Sequence, residues 1–72
     1  MQRERVILYS IPRCPHCKTV KEILTDNNVS YEEIVDIELM KQKGFYSAPM
    51  LEIGWLTMSY EEVLAWAKDK FK

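Results

Sequence analysis

The segment Val6-Ile7-Leu8-Tyr9 is apolar at every position and runs straight into Ser10-Ile11-Pro12. A strand with one wet face alternates apolar and polar residues, so an unbroken run suits a central strand buried on both faces, in a sheet covered by helices. That requirement points to an α/β fold. From Pro15 onward, Cys17, Val20, Ile23 and Leu24 recur at helical spacing, with Lys18, Lys21, Glu22 and Thr25 between them. The spacing predicts a first helix running to about Asn27, where Asn27-Asn28 supplies a left-handed stop.

Residues 30–36 contain Tyr31, Ile34 and Val35 and read as a second strand, with imperfect alternation. Asp36 can cap a short helix through Glu38, Leu39 and Met40 that stops near Gly44, whose free φ suits a helix end. Residues 50–53 and 56–58 read as two strands joined by Gly54-Trp55, and glycine first in a two-residue loop predicts a type II′ hairpin. Ser59-Tyr60-Glu61-Glu62 has the form of a capping box, in which hydroxyl and carboxylate satisfy amides that a helix start leaves unpaired. Behind it Tyr60, Val63, Leu64, Ala67 and Phe71 form one apolar face. The expected order is β-α-β-α-β-β-α, one domain over residues 1–72.

A chain of 72 residues has room for one small core, because domains of this size hide only about 60% of their unfolded surface. Its cysteines number two, separated by two residues, so a bond between them closes too small a ring to staple the fold. Stability must come from packing, and Trp55, Trp66, Phe45, Phe71 and the tyrosines are the largest side chains offered to it. Net charge is -1 with basic residues scattered among acids, which argues against a nucleic-acid partner. No apolar run reaches the length of a signal h-region or a membrane span. A cytoplasmic monomer is expected.

The chemistry concentrates at Cys14-Pro15-His16-Cys17. Cys14 falls at the N-cap of the first helix, and Pro15 at the first helical position lacks an amide hydrogen that would go unpaired there. The amides of His16 and Cys17 then face the Cys14 sulfur, and together with the positive end of the helix dipole they favour the thiolate, which is the nucleophile. Cys17, one turn on and on the apolar face, is placed to attack a mixed disulfide formed at Cys14. His16 can donate a hydrogen bond or, when protonated, a charge to that sulfur. Arg13, with Lys18, adds positive charge beside it.

The run Tyr9-Ser10-x-x-x-Cys14-Pro15-His16-Cys17, with Ala48-Pro49 later, resembles the glutaredoxin and glutaredoxin-like redoxin family along essentially the whole chain. The resemblance implies the thioredoxin fold, a four-stranded mixed sheet with three flanking helices. It implies thiol-disulfide exchange through Cys14 as nucleophile and Cys17 as resolving thiol. It also implies a cis-proline at Pro49 opening the third strand, and makes Tyr9, Ala48 and Pro49 the residues expected to meet substrate. No tightly bound cofactor or metal is implied, and glutathione enters as a co-substrate. Two departures bear on the electron donor. Ile11 stands where many members carry lysine, and no Gly-Gly pair precedes the last helix. The chain is also similar to short redoxins that draw electrons from thioredoxin reductase and often serve ribonucleotide reductase. The competing readings are a metal or iron-sulfur cluster module, using Cys14 with external thiols, and an adaptor with inert cysteines.

Overall fold

The computed structural model describes residues 5–70. Its elements are β1 (Val6–Tyr9), α1 (Pro15–Asp26), β2 (Glu32–Ile34), α2 (Ile37–Gln42), β3 (Met50–Ile53), β4 (Leu56–Met58) and α3 (Tyr60–Lys70), in the order expected. The strands form one mixed sheet ordered β2-β1-β3-β4. β1 runs parallel to β2, with Leu8 opposite Glu33, and antiparallel to β3, with Leu8 opposite Leu51. β4 returns antiparallel along β3.

The core gathers Leu8, Val20, Leu24, Leu51, Met58 and Val63 between the sheet and the pair α1 and α3. Successive strand residues face opposite sides, so Tyr9 turns away from that core and meets Phe45 edge-on, ring centroids 5.2 Å apart. Burial on both faces therefore holds for Leu8 and Tyr9, whereas Val6 and Ile7 are half-buried. β2 is shorter than residues 30–36. It lies at the sheet edge, its last pairing being Ile34 with Tyr9. Two residues on, Asp36 already serves as the N-cap of α2, its Oδ1 accepting the Leu39 amide at 3.1 Å.

Local chemistry ends the helices as read. Asn28 takes φ 59, in the left-handed region, and the Val29 amide bonds the Leu24 carbonyl at 2.8 Å, a reversal that gives a late carbonyl of α1 a partner. Gly44 takes φ 82, and the Phe45 amide bonds the Met40 carbonyl at 2.8 Å. Gly54, at φ 60, opens the β3–β4 hairpin. At α3 the carboxylate arm of the capping box forms, Glu62 Oε1 accepting the Ser59 amide at 2.8 Å.

Three packing expectations are corrected. Trp55 is 89% exposed because it follows Gly54 at the hairpin tip, beyond the reach of either helix layer, and Tyr46 is 84% exposed in the loop before β3. Leu64 is 37% exposed. The buried stripe of α3 centres on Val63 and Ala67, and Tyr60 and Trp66, not Leu64, flank it against the core. Phe71 lies outside the described residues.

Candidate active site

β1 delivers the chain to the site. After Tyr9, Ser10 keeps one sheet-like hydrogen bond, its amide to the Ile34 carbonyl at 3.0 Å. The chain then turns at Pro12 and Arg13, Arg13 adopting φ 57. Cys14 follows as the N-cap of α1, extended at φ -112 and ψ 107, and Pro15 occupies the first turn. Cys14 Sγ accepts the Cys17 amide at 3.2 Å, so the sulfur takes the place that a serine or aspartate oxygen takes at an ordinary helix start. It also lies 4.0 Å from the Ala48 carbonyl. That contact sets the loop before β3 against the start of α1; the Ala48–Pro49 peptide is cis and Pro49 is buried.

The two free cysteines are unequal. Cys14 is half-buried, whereas Cys17 is 2% exposed. Burial pushes the Cys17 thiol up to about 11, and the hydrogen bond with Cys14 adds to the rise. A low-dielectric surrounding disfavours the charged form of an acid, so Cys17 rests as a thiol at neutral pH. Among the described residues no three His, Cys, Asp or Glu side chains are grouped as a metal site requires.

The residues expected around the sulfur fall into two sets, His16 on Tyr60 and the cations on the cavity beside the cysteines. The exposed His16 ring stacks on Tyr60, the first residue of α3, with centroids 3.9 Å apart and planes 2° from parallel. Cys14 Sγ is met by backbone groups instead. Arg13 and Lys18 border a cavity of about 400 Å³ shared with both cysteines. Tyr9, expected to meet substrate, lies inside the fold. It is 2% exposed, and its hydroxyl donates to Glu52 Oε1 at 2.9 Å on the side of the sheet that carries Phe45.

The sequence did not announce a polar trio beside the cysteines. Lys21 Nζ lies 2.7 Å from Glu33 Oε2, the Ser10 hydroxyl donates to that same oxygen at 2.7 Å, and all three border the cavity holding Cys14 and Cys17. Those two contacts, Lys21 first, hold the Glu33 carboxyl below its ordinary range. The available signal was the four-residue step from Cys17 to Lys21, whereas Glu33 depended on the register of β2. A second, apolar groove of about 250 Å³ opens beside Ala48, with Ile11, Ile37, Phe45 and Tyr46 in its walls.

A four-stranded mixed sheet, three helices and a C-x-x-C pair at the start of the first helix define a thioredoxin-like fold with a thiol site. The sequence pattern of the family described as Glutaredoxin matches residues 6–57. The chain belongs to the glutaredoxin family. Among solved structures it is similar to the glutaredoxin (grx-1) of Archaeoglobus fulgidus, at 25% identity and a TM-score of 0.63, over 78% of this chain and 74% of that one. It is also similar to the maleylacetoacetate isomerase of Anaeromyxobacter dehalogenans 2CP-1, at 25% identity and a TM-score of 0.68. That likeness covers 96% of this chain but 33% of the isomerase, so the chain spans about a third of that enzyme. No curated protein matches the sequence.

Proposed function

We propose that the protein is a dithiol thiol-disulfide oxidoreductase, with Cys14 as nucleophile and Cys17 as resolving thiol. The observation that carries this reading is the asymmetry of the pair. Cys14 Sγ is reachable and receives a helix amide at 3.2 Å, whereas Cys17 is 2% exposed and protonated at rest. The Cys14 thiolate attacks one sulfur of a substrate disulfide, forming the Cys14 mixed disulfide and releasing the first substrate thiolate. Cys17 then loses its proton and attacks Cys14 Sγ. The Cys14–Cys17 disulfide closes and the second substrate thiolate leaves, so two electrons pass to the substrate. An external dithiol, or two glutathione molecules, reverses these steps and restores the pair.

Pairing of β1 with β3 ends at Tyr9 and Met50, so the Ala48 backbone lies just past the last paired residues. An extended substrate segment joined to Cys14 can pair there as an added strand. The adjoining groove is walled mostly by Ile11, Ile37, Met40, Phe45 and Tyr46, with Lys41 as its one cation among the described residues, which suits the apolar side chains of a protein client. Accordingly, the mixed disulfide of a protein is the preferred substrate.

Substitution separates the two roles. Cys17→Ser should accumulate a mixed disulfide at Cys14 detectable by mass spectrometry, and Cys14→Ser should abolish turnover. Trapping at Cys17, or turnover without Cys14, would reverse the assignment. Supplying electrons from glutathione with its reductase, or from thioredoxin reductase, to the same wild-type reaction identifies the donor.

A further inference from the structure

Cys17 and Lys21 stand four residues apart on α1, the spacing that stacks two side chains on one helix face with Cβ atoms about 5–6 Å apart. Both border the cavity of about 400 Å³ that also reaches Ser10, Cys14 and Glu33. A lysine at the flank of a helix ordinarily samples many rotamers, and fixing it costs entropy. Here Glu33 Oε2 holds the ammonium at 2.7 Å. The carboxylate is itself fixed by the Ser10 hydroxyl at 2.7 Å, from a residue 1% exposed whose amide is tied to Ile34 at 3.0 Å. The cation is thus anchored through β2 and the end of β1, in the cavity that Cys17 lines.

The resolving step has a difficulty that this arrangement meets. Cys17 must become a thiolate to attack, and its burial opposes that charge. Besides burial, the Cys14 sulfur opposes ionisation of Cys17, and the Ile11 backbone and, more weakly, the Lys21 ammonium across the shared cavity favour it. We propose that Lys21, anchored by Glu33 and Ser10, is the positioning residue of the resolving step, its ammonium stabilising the Cys17 thiolate as the proton leaves Cys17 Sγ for solvent through the shared cavity. The thiolate then displaces the substrate thiolate from Cys14 Sγ, and that leaving group takes up a proton from solvent, so protons and electrons balance. Lys21 touches neither substrate nor the breaking bond; it acts through Cys17. The inference rests on the dithiol reading of the pair and adds to it a cation dedicated to the second half of the cycle.

The test uses bis(2-hydroxyethyl) disulfide, an uncharged probe whose approach does not depend on surface charge. Reduced protein is mixed with it, and acid quench with mass spectrometry follows formation and decay of the Cys14 mixed disulfide. In Lys21→Met, decay should slow roughly tenfold, equivalent to about 1.4 kcal/mol in the barrier, while formation keeps its wild-type rate. Lys21→Arg should restore decay, and Lys68→Met, the same charge change on the exposed side of α3, should leave both phases unchanged. Wild-type decay in Lys21→Met, equal slowing of both phases, or no rescue by arginine would overturn the proposal and leave the dithiol reading standing. A Cys17→Ser protein that forms no mixed disulfide at Cys14 would overturn both.

Discussion

At the scale of single residues, the two sulfurs are distinguished by what surrounds them, not by their chemistry. Cys14 replaces an oxygen cap and is met by backbone groups, whereas Cys17 faces the apolar side of α1 with Val20 and Leu24. The stability consequence has a definite sign. A raised value in the fold means that the native state holds the Cys17 proton more tightly. The associated stability is therefore complete below the ordinary thiol value of 9.0 and is lost as pH rises through about 11. Urea unfolding between those pH values should show an alkaline loss of about 2–3 kcal/mol in the wild type that is absent from Cys17→Ala. The same slope in both proteins would contradict the assigned burial. His16 and Tyr60 make a second residue-scale contact, with rings 3.9 Å apart. A double-mutant cycle of His16→Val and Tyr60→Leu should return a coupling of about 0.5–1.5 kcal/mol, and independent effects would mean that the stack adds nothing.

At the scale of elements, the features legible in the sequence were those set by local chemistry. The aspartate at the start of α2, the left-handed Asn28 and Gly44, the glycine of the hairpin and the Ser59/Glu62 pair all depend on the few residues around them. Each appears where its side chain or its absent Cβ requires. What stayed hidden depends on partners far along the chain. Lys21 meets Glu33 only once β2 is laid parallel to β1. Tyr9 is tied into the fold because β3 offers Glu52 to its hydroxyl. Trp55 is too far out along the hairpin for its size to matter to the core. The α2 caps give a clean test. At Gly44 a Cβ meets nothing within 4 Å, so Gly44→Ala is penalised by the left-handed backbone alone and should cost about 1–2 kcal/mol in chemical denaturation. Asp36→Ala, which leaves the Leu39 amide without its acceptor, should cost about 1 kcal/mol. Unchanged midpoints in both variants would mean that α2 is not held by its ends.

At the scale of the molecule, one sheet performs two tasks. The face bearing Leu8 and Leu51 anchors α1 and α3, and the C-terminal end of β1 releases the chain into the turn that leads to Cys14. A chain of 72 residues has a total stability of only roughly 4–11 kcal/mol at ordinary values per residue. Leu51→Ala, removing a side chain at 0% exposure, should therefore take away about 2–5 kcal/mol. Loss of the thermal transition, or a large fall in its midpoint, is the expected reading, and an unshifted midpoint would place the core elsewhere. Ile11 lines both grooves, so the apolar groove beside Ala48 and the polar trio beside Cys17 are joined by one short turn. The most direct test of the account is competitive alkylation of the reduced native protein with iodoacetamide at pH 7, followed by peptide mapping. Cys14 should be modified first, with Cys17 protected until the protein is unfolded; equal labelling of the two, or Cys17 labelled first, would contradict the division of labour between an accessible nucleophile and a buried resolving thiol.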